Sequence, residues 1–378
     1  MAASPANGSG TAITVLGTEQ HLAWQQRTLP PVERISGGLW SVPVPIPDNP
    51  LRYTLSYLVP GDNGVVVVDP GWQTDEGWQA LLAGLTAAGV SVSDVVGVVA
   101  THIHPDHHGL SARLRAESGA WVAMHPLERD TLPHRVAAKT AEGRRDAMAR
   151  MLLSSGAPPT EVTGQRKQVD PGANRPIEMA EPDVLLDDGD LVPLPGRRLR
   201  AIWTPGHTPG HLCLQEPDAR LLLTGDHVLP RITPNIGMQP GLTNSPLRRF
   251  IESLERVGEF DDHDALPAHE YRFRGLAVRT RQLIEHHDHR CRELVDVVTE
   301  LGTPTLWQLA ENLTWSRPWA EVGAMRFAAL AETAAHVSHL VDLGQVAWQI
   351  PDSAAGEDRQ PARLRRVADA PVLVHGAR

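Results

Sequence analysis

Cysteine and long apolar segments are scarce in this chain. Its 378 residues include two cysteines, Cys213 and Cys291, which are too few for a disulfide framework. No apolar run is as long as a membrane-spanning helix, and the amino-terminal residues lack the basic and apolar regions of a secretory signal. We therefore expect a cytoplasmic protein that has no membrane partner.

Positive charge is also in short supply. The chain carries 35 basic and 45 acidic residues, a formal net charge of -10, and Lys139 and Lys167 are its only lysines. A polynucleotide-binding protein normally presents many cationic side chains to phosphates, so a nucleic-acid partner is disfavoured. Hydrophobic residues make up 41% and charged residues 21%, which is typical of a globular protein.

The hydrophobic pattern predicts an α/β domain over residues 34–301. Residues 1–33 show little periodicity and are predicted to form a flexible extension. Residues 65–68 and 95–100 are continuous apolar runs typical of buried strands, and residues 75–88 between them have helical spacing. The second of these strands leads directly into Thr101, so the polar residues that follow it stand where α/β proteins place their chemistry.

Residues 126–182 separate two groups of predicted strands. They include a predicted helix at 135–154 that carries Met148, Met151 and Leu152 on one side. A segment of this length between core strands is typical of a lid over a binding site. The apolar side of the helix is therefore predicted to line the pocket and to select the substrate.

The carboxyl-terminal part has a different character. Residues 302–351 combine helical patterns with a strand-like run at 345–350, which predicts a small winged-helix-like domain. Residues 352–378 are polar and arginine-rich and are predicted to form a flexible tail. Since the small domain contains no metal-ligand motif, we expect it to serve packing or homodimer formation. Removal of the chain after Leu301 is then expected to leave the metal chemistry intact.

A dense group of metal-ligand side chains follows the strand at 95–100. The loop contains His102, His104, Asp106, His107 and His108. Neutral imidazole nitrogens and carboxylate oxygens are ligands that zinc prefers in proteins. Because side chains alternate along an extended segment, the first two histidines lie on the same side of the chain. The loop therefore predicts a metal site at a strand end.

This loop resembles the signature of the metallo-β-lactamase superfamily, His-X-His-X-Asp-His. Four further motifs of that family follow in the expected order. They are Asp69 after the valine strand, His207 in Thr-Pro-Gly-His, Asp226 in Thr-Gly-Asp and His269 in Leu-Pro-Ala-His. The resemblance covers residues 38–280 and implies a four-layer αββα sandwich, here with the small winged-helix-like domain at its carboxyl terminus.

The resemblance also implies two divalent metal ions, with zinc expected and iron or manganese as alternatives. One ion is expected to bind His102, His104 and His207. The other is expected to bind Asp106, His107 and His269, with Asp226 bridging the pair and acting, with Asp106, in catalysis. The family assigns structural roles near the site to Asp69 and His211. Five residues close to the motifs are candidates for orienting the substrate: His227, Arg231, Asn235, Arg272 and Arg274.

Two functions are consistent with such a site. In the first, a metal-bridging hydroxide cleaves a small acyl substrate, namely a thioester, ester or lactone. The sequence His269-Glu270-Tyr271 is similar to the glyoxalase II branch of the family. In the second, the chain resembles the lactamase-β-like branch, some members of which are metal-dependent endoribonucleases that cleave single-stranded RNA. The net acidity, together with Glu270 beside the last ligand, favours the acyl substrate.

Overall fold

Two large sheets form the centre of the protein. The computed structural model describes residues 12–132, 141–161, 177–237, 245–349 and 361–368. The strands of the first sheet lie side by side in the order β2 (Glu33–Arg34), β3 (Trp40–Pro45), β4 (Tyr53–Gly61), β5 (Gly64–Val68), β6 (Val95–Val99), β7 (Trp121–Met124) and β8 (Val184–Leu185). Those of the second have the order β1 (Thr14–Val15), β13 (Phe273–Arg274), β12 (Asp264–Pro267), β11 (Leu221–Gly225), β10 (Leu212–Glu216) and β9 (Arg200–Trp203).

Helices lie on the outer faces of these sheets and in the carboxyl-terminal region. In chain order they are α1 (Thr18–Gln26), α2 (Asp75–Ala87), α3 (Pro105–His108), α4 (Ser111–Ser118), α5 (Pro126–Arg129), α6 (Ala141–Ser154), α7 (Pro246–Gly258), α8 (Leu276–Leu301), α9 (Leu306–Asn312) and α10 (Arg326–Asp342). Local sequence sets several of their starts: Thr74 and Ser245 accept backbone N–H groups as N-caps of α2 and α7. Among the described residues, no helix has the length and apolar content that crossing a bilayer requires.

The layers follow from which side chains each strand buries. Leu55, Tyr57 and Val59 of β4 point into a core between the two sheets, where they meet side chains of β9 to β12. Leu58 on the opposite face of β4 packs against α2 and α4, because alternate residues of a strand face opposite sides. The outer face of the second sheet packs against α7 and α8. The predicted four-layer αββα order is confirmed.

Strand direction brings four loops to one edge of the sandwich. β5, β6 and β7 are parallel neighbours, and β11 is parallel to β12. β9 and β11 are both antiparallel to β10, so they run in the same direction. The carboxyl ends of β6, β9, β11 and β12 therefore deliver the four loops that carry the metal-ligand motifs.

The structure corrects the expected flexible extension at residues 1–33 over the part that it describes. β1 pairs with β13, and α1 packs on the sandwich with Gln20 fully buried. The amide of Gln20 donates to Ser41 Oγ at 3.0 Å and accepts from the backbone N–H of Arg272. Periodicity missed α1 because only Ala23 and Trp24 provide apolar contacts with the domain, and the contacts of Gln20 are polar. Residues 1–11 lie outside the described part.

The carboxyl-terminal region shares its core with the catalytic domain. Leu309 of α9 and Leu330 of α10 belong to the same hydrophobic cluster as Phe250 of α7 and Leu283 of α8. A two-stranded antiparallel sheet, β14 (Val346–Gln349) and β15 (Arg363–Arg366), completes the region. The expected tail at 352–378 is thus ordered at β15, while residues 350–360 and 369–378 lie outside the described part.

The insertion at 126–182 packs differently from the expected lid. Helix α6 spans Ala141–Ser154, and the first residues of the predicted helix lie outside the described part. Leu152 is buried in the cluster that α9 and α10 share, and Met148 and Met151 pack against it. The apolar side of α6 therefore joins the insertion to the carboxyl-terminal helices, and its predicted use as an acyl-binding wall is not supported by these contacts.

Candidate metal centre

Three imidazole rings converge at the first of two adjoining side-chain clusters. His102 Nε2 lies 2.9 Å from His104 Nδ1, which lies 3.1 Å from His207 Nε2. Four ligands of a tetrahedral zinc ion with bonds near 2.0 Å stand about 3.3 Å apart. The three nitrogens and a carboxylate oxygen of Asp226 lie within 4.8 Å of one another. This spacing suits one metal ion.

The second cluster contains Asp106, His107 and His269. His269 Nε2 lies 3.4 Å from Asp106 Oδ2 and 3.2 Å from Asp226 Oδ1. The other oxygen of Asp226 lies 3.5 Å from His107 Nε2 and 3.7 Å from His207 Nε2. One carboxylate thus faces both clusters, as expected of a bridging ligand.

The burial of the clusters sets their protonation. Burial and the neighbouring His207 lower the pKa of His104 to about 3, and burial holds the pKa of His102 well below its usual range. Both rings are therefore neutral near pH 7 and keep a lone pair for a metal. Although burial disfavours a charged Asp226, His269 and His107 hold the pKa of its carboxyl well below its ordinary value. The first cluster thus offers neutral imidazoles, and Asp226 offers an ionised carboxylate to both clusters.

Hydrogen bonds on the far side of each ring fix its tautomer. The Nδ1 atoms of His107, His207 and His269 lie 2.8 Å from Asp69 Oδ2, the Asn235 carbonyl and the Tyr53 carbonyl respectively. With Nδ1 donating to an oxygen, Nε2 of each ring is left as the acceptor. This arrangement turns all three Nε2 atoms toward the clusters.

Within the described residues, buried polar atoms at the two clusters lack hydrogen-bond partners, which fits a site for metal ions. In the part of the chain that the structure describes, His107 Nε2, His269 Nε2 and Asp226 Oδ1 are buried and have no hydrogen-bond partner. Buried polar atoms without partners cost free energy, and three of them facing one point call for a shared cation. The residues present therefore fit the expected group.

Asp69 supports the metal loop as the resemblance implies. Its carboxylate accepts from the backbone N–H of Thr101 at 2.7 Å and from Thr101 Oγ1 at 2.8 Å, in addition to its contact with His107. Asp69 has a positive φ of 53°, which is uncommon for a residue other than glycine. The contacts made by its side chain hold this backbone conformation in place.

Glu128 is a site residue that sequence reasoning missed. Its fully buried carboxylate accepts from the backbone N–H of Ile103 at 2.8 Å and from that of Gly210 at 2.6 Å. It thereby ties the loop of His102 and His104 to the loop of His207. No motif marks Glu128, since it stands 25 residues from Ile103 and 82 from Gly210.

We expect Glu128→Gln to weaken metal binding about 10- to 100-fold, because a supporting carboxylate orients the ligands without touching the metal. An amide can accept only one of the two N–H groups with its oxygen, so the two loops separate. Competition with a chromogenic chelator measures the affinity. Glu117→Gln, on an exposed position of α4, is the matched control. Equal affinities for the two variants would refute this role.

His211 and His227 are buried behind the clusters. His211 Nδ1 lies 2.8 Å from Thr204 Oγ1, and its Nε2 accepts from the backbone N–H of Asp226 at 3.2 Å. This agrees with the structural role expected for His211. His227 is fully buried and packs its ring against Phe250, and its predicted role in orienting the substrate stays a prediction.

The remaining substrate-orienting candidates separate into two groups. Arg272 forms an ion pair with Glu33 of β2, and Arg274 forms one with Asp264 of β12. Both guanidiniums therefore connect strands. Asn235 is exposed, and its carbonyl contacts the His207 ring. Arg231 is exposed too and lines a cleft of its own. These two stay candidates.

Glu270 does not stand in the path of a substrate as the sequence suggested. It is fully buried, and its Oε2 accepts from the backbone N–H of Arg231 at 2.9 Å. Burial raises the pKa of Glu270. The residue therefore anchors the loop after β11 to the loop that carries His269, and its charge gives no argument against a phosphate-bearing substrate.

Comparison with known proteins identifies the part of the chain that carries the metal-ligand motifs. The model of the metallo-beta-lactamase superfamily matches residues 49–269. A crystal structure of a metallo-beta-lactamase family protein from Thermus thermophilus is 30% identical, with a TM-score of 0.69, and covers 87% of this chain and 99% of that one. A beta-lactamase domain protein from Burkholderia ambifaria shares the fold at 24% identity, with a TM-score of 0.71 over 94% and 97% of the two chains.

Curated relatives of this chain include proteins with a stated activity. The acyl-coenzyme A thioesterase MBLAC2 of Homo sapiens is 26% identical over 175 residues, which is 45% of this chain and 54% of that protein. The chain thus spans only about half the length of this relative. The lactamase-like protein adaB of Aspergillus niger is 22% identical over 95% of this chain and 96% of its own length.

Proposed function

The chain belongs to the metallo-β-lactamase superfamily, and from this premise we propose that it is a binuclear metal-dependent hydrolase of a thioester, ester or lactone. The observation that carries the proposal is the pair of buried clusters with Asp226 between them. Two divalent ions there, zinc by preference, would supply Lewis acidity to the scissile carbonyl and lower the pKa of a water molecule.

The protein groups have separate tasks in this proposal. His102, His104 and His207 would hold one ion with neutral rings, and Asp106, His107 and His269 the other. Asp226 fixes the separation of the two groups, because its two oxygens face different rings. The carboxylates of Asp106 and Asp226 stand at the clusters, where either could accept the proton that the reacting water loses.

A protein nucleophile is not required. Cys213 is fully buried, burial raises the pKa of its thiol to about 12, and its sulfur contacts Thr204 Oγ1 and the Thr224 carbonyl. A neutral, enclosed thiol cannot attack a substrate. Water is therefore the nucleophile in this proposal.

Among acyl substrates, a thioester has the most support. A family relative with a stated activity is an acyl-CoA thioesterase, and thioester carbonyls are good electrophiles with a stable thiolate leaving group. Single-stranded RNA is the competing substrate, and the net charge of -10 disfavours it.

We expect purified, metal-loaded protein to hydrolyse butyryl-CoA with a kcat/KM at least about 100-fold above that for a single-stranded RNA oligomer, a difference of about 2.7 kcal/mol in transition-state free energy. Metal analysis on the same preparation should give two ions per chain. A lactone and an activated ester complete the screen. Faster turnover of RNA than of every acyl substrate would replace this proposal by the endoribonuclease function.

A further inference from the structure

A cationic cleft lies beside the metal centre. Its volume is about 530 Å³, and it is lined by Trp24, Gln25, Arg27, Pro50, Arg52 and Arg231. Three segments build it: the end of α1, the loop between β3 and β4, and the loop after β11. The residues from α1 precede the range 49–269 that the family model matches.

The charge of this cleft is unbalanced. Arg27, Arg52 and Arg231 contribute three guanidinium groups, and none of the lining residues is a carboxylate. Within the described ranges, no ion pair involves any of the three arginines, although acidic residues outnumber basic ones in the chain as a whole. Three like charges held together repel one another, so the arrangement favours an anionic ligand.

Arg52 shows that the cleft is built and not a chance grouping of surface side chains. Its guanidinium lies 3.9 Å from the ring centroid of Trp24 and donates from Nη2 to the Trp24 carbonyl at 3.0 Å. Its Nη1 is buried and has no hydrogen-bond partner among the described residues. Its φ of 69° costs conformational energy, and such a backbone conformation persists only where surrounding contacts enforce it.

The cleft is joined to the metal centre by short connections. Arg52 precedes Tyr53, whose carbonyl accepts from His269 Nδ1 at 2.8 Å. Standard backbone dimensions therefore place the Arg52 Cα within about 9 Å of the His269 ring. The backbone N–H of Arg231 donates to Glu270, the residue after His269. A long substrate can reach the cleft while its acyl group lies at the metals.

We propose that this cleft binds the phosphate groups of a coenzyme A thioester, an assignment that rests on the proposed hydrolase function. Guanidinium groups bind phosphate oxygens through paired, charge-assisted hydrogen bonds. A multiply charged phosphate ligand suits three arginines better than a single carboxylate does. The pantetheine arm separates those phosphates from the thioester by a long uncharged chain.

The test compares thioesters that share an acyl group and differ in the thiol. For wild-type protein and the Arg27→Gln/Arg231→Gln variant, kcat/KM is measured on butyryl-CoA and on S-butyryl-N-acetylcysteamine, which has no phosphate. We expect the variant to lower the ratio of kcat/KM for butyryl-CoA to kcat/KM for S-butyryl-N-acetylcysteamine about 100-fold, roughly tenfold for each guanidinium group removed. The effect should fall on KM for butyryl-CoA. Arg34→Gln, on an exposed residue of β2, is the matched control for charge.

Calorimetric titration with free coenzyme A provides a readout that does not depend on turnover. Wild-type protein should bind coenzyme A at least about tenfold more tightly than the double variant. Binding through the arginines without thioester hydrolysis would refute the proposed function and keep the cleft assignment. Hydrolysis with an unchanged substrate ratio and unchanged binding would refute the cleft. Two other results would also overturn the cleft assignment. In one, inorganic pyrophosphate binds as tightly as coenzyme A. In the other, the double variant lowers kcat/KM for S-butyrylglutathione and not for butyryl-CoA.

Discussion

Asp226→Asn is expected to lower kcat/KM by about 10³-fold or more, a loss of about 4 kcal/mol in transition-state stabilisation. An amide offers one neutral oxygen in place of two charged ones, and the two oxygens of Asp226 face His107 and His207 on one side and His269 on the other. Metal content should fall from two ions per chain to one or fewer. Elemental analysis and steady-state kinetics on the same sample measure both effects.

Asp218→Asn is the matched control for this change. Asp218 is an exposed aspartate that pairs with Arg198 on the surface, and surface pairs of this kind contribute little to stability. The control should keep two ions and full activity. An Asp226→Asn protein that retained both ions and stayed within about tenfold of wild-type activity would show that this carboxylate does not bridge the site.

Removal of the chain after Leu301 is expected to yield an unfolded or aggregated product, contrary to the independence that the sequence suggested. Leu309, Leu330 and Leu340 are buried in one cluster with Phe250 and Leu283 of the catalytic domain. Truncation exposes this apolar surface to water, and exposed patches of that kind promote aggregation. Solubility after expression and the unfolding transition of any soluble fraction measure the outcome.

A point substitution tests the same interface in the full-length protein. Leu330→Ala is expected to reduce the free energy of unfolding by about 2–5 kcal/mol, because it leaves a cavity in a fully buried position. Leu343→Ala, at a residue 37% exposed just after α10, should change it by less than about 0.5 kcal/mol. A soluble truncated protein with two ions, or equal stability of the two variants, would contradict the shared core.

The interface also bears on metal binding. A Cβ placed on Gly237 would lie 3.3 Å from Ala331 Cβ, so α10 packs against the loop whose Asn235 carbonyl orients His207. Loosening of α10 should therefore weaken the first metal site as well as the fold. The chelator competition used for Glu128→Gln detects this in Leu330→Ala, with Leu343→Ala again as the reference.

Sequence patterns closely predicted the bounds of the strands and helices around the motifs. The predicted strand at 65–68 is observed as Gly64–Val68, and the predicted helix at 75–88 as Asp75–Ala87. Both are local structures whose apolar spacing matches their own period. The same reasoning failed at α1, where Gln20 and the Trp24–Arg52 pair attach the helix through polar and cation–π contacts that leave no periodic mark.

The sequence by itself determines the type of protein and the set of candidate ligands. His102, Asp106 and their companions stand in short motifs at strand ends, and a motif of adjacent residues can be read without knowing where the chain goes next. Only the tertiary structure decides what surrounds them. Glu128, the burial of Glu270, the shared core at Leu330 and the cleft at Arg52 each depend on residues far apart in the chain. Such contacts form only when the whole fold has closed, because their energies come from burial and from pairing with distant backbone groups.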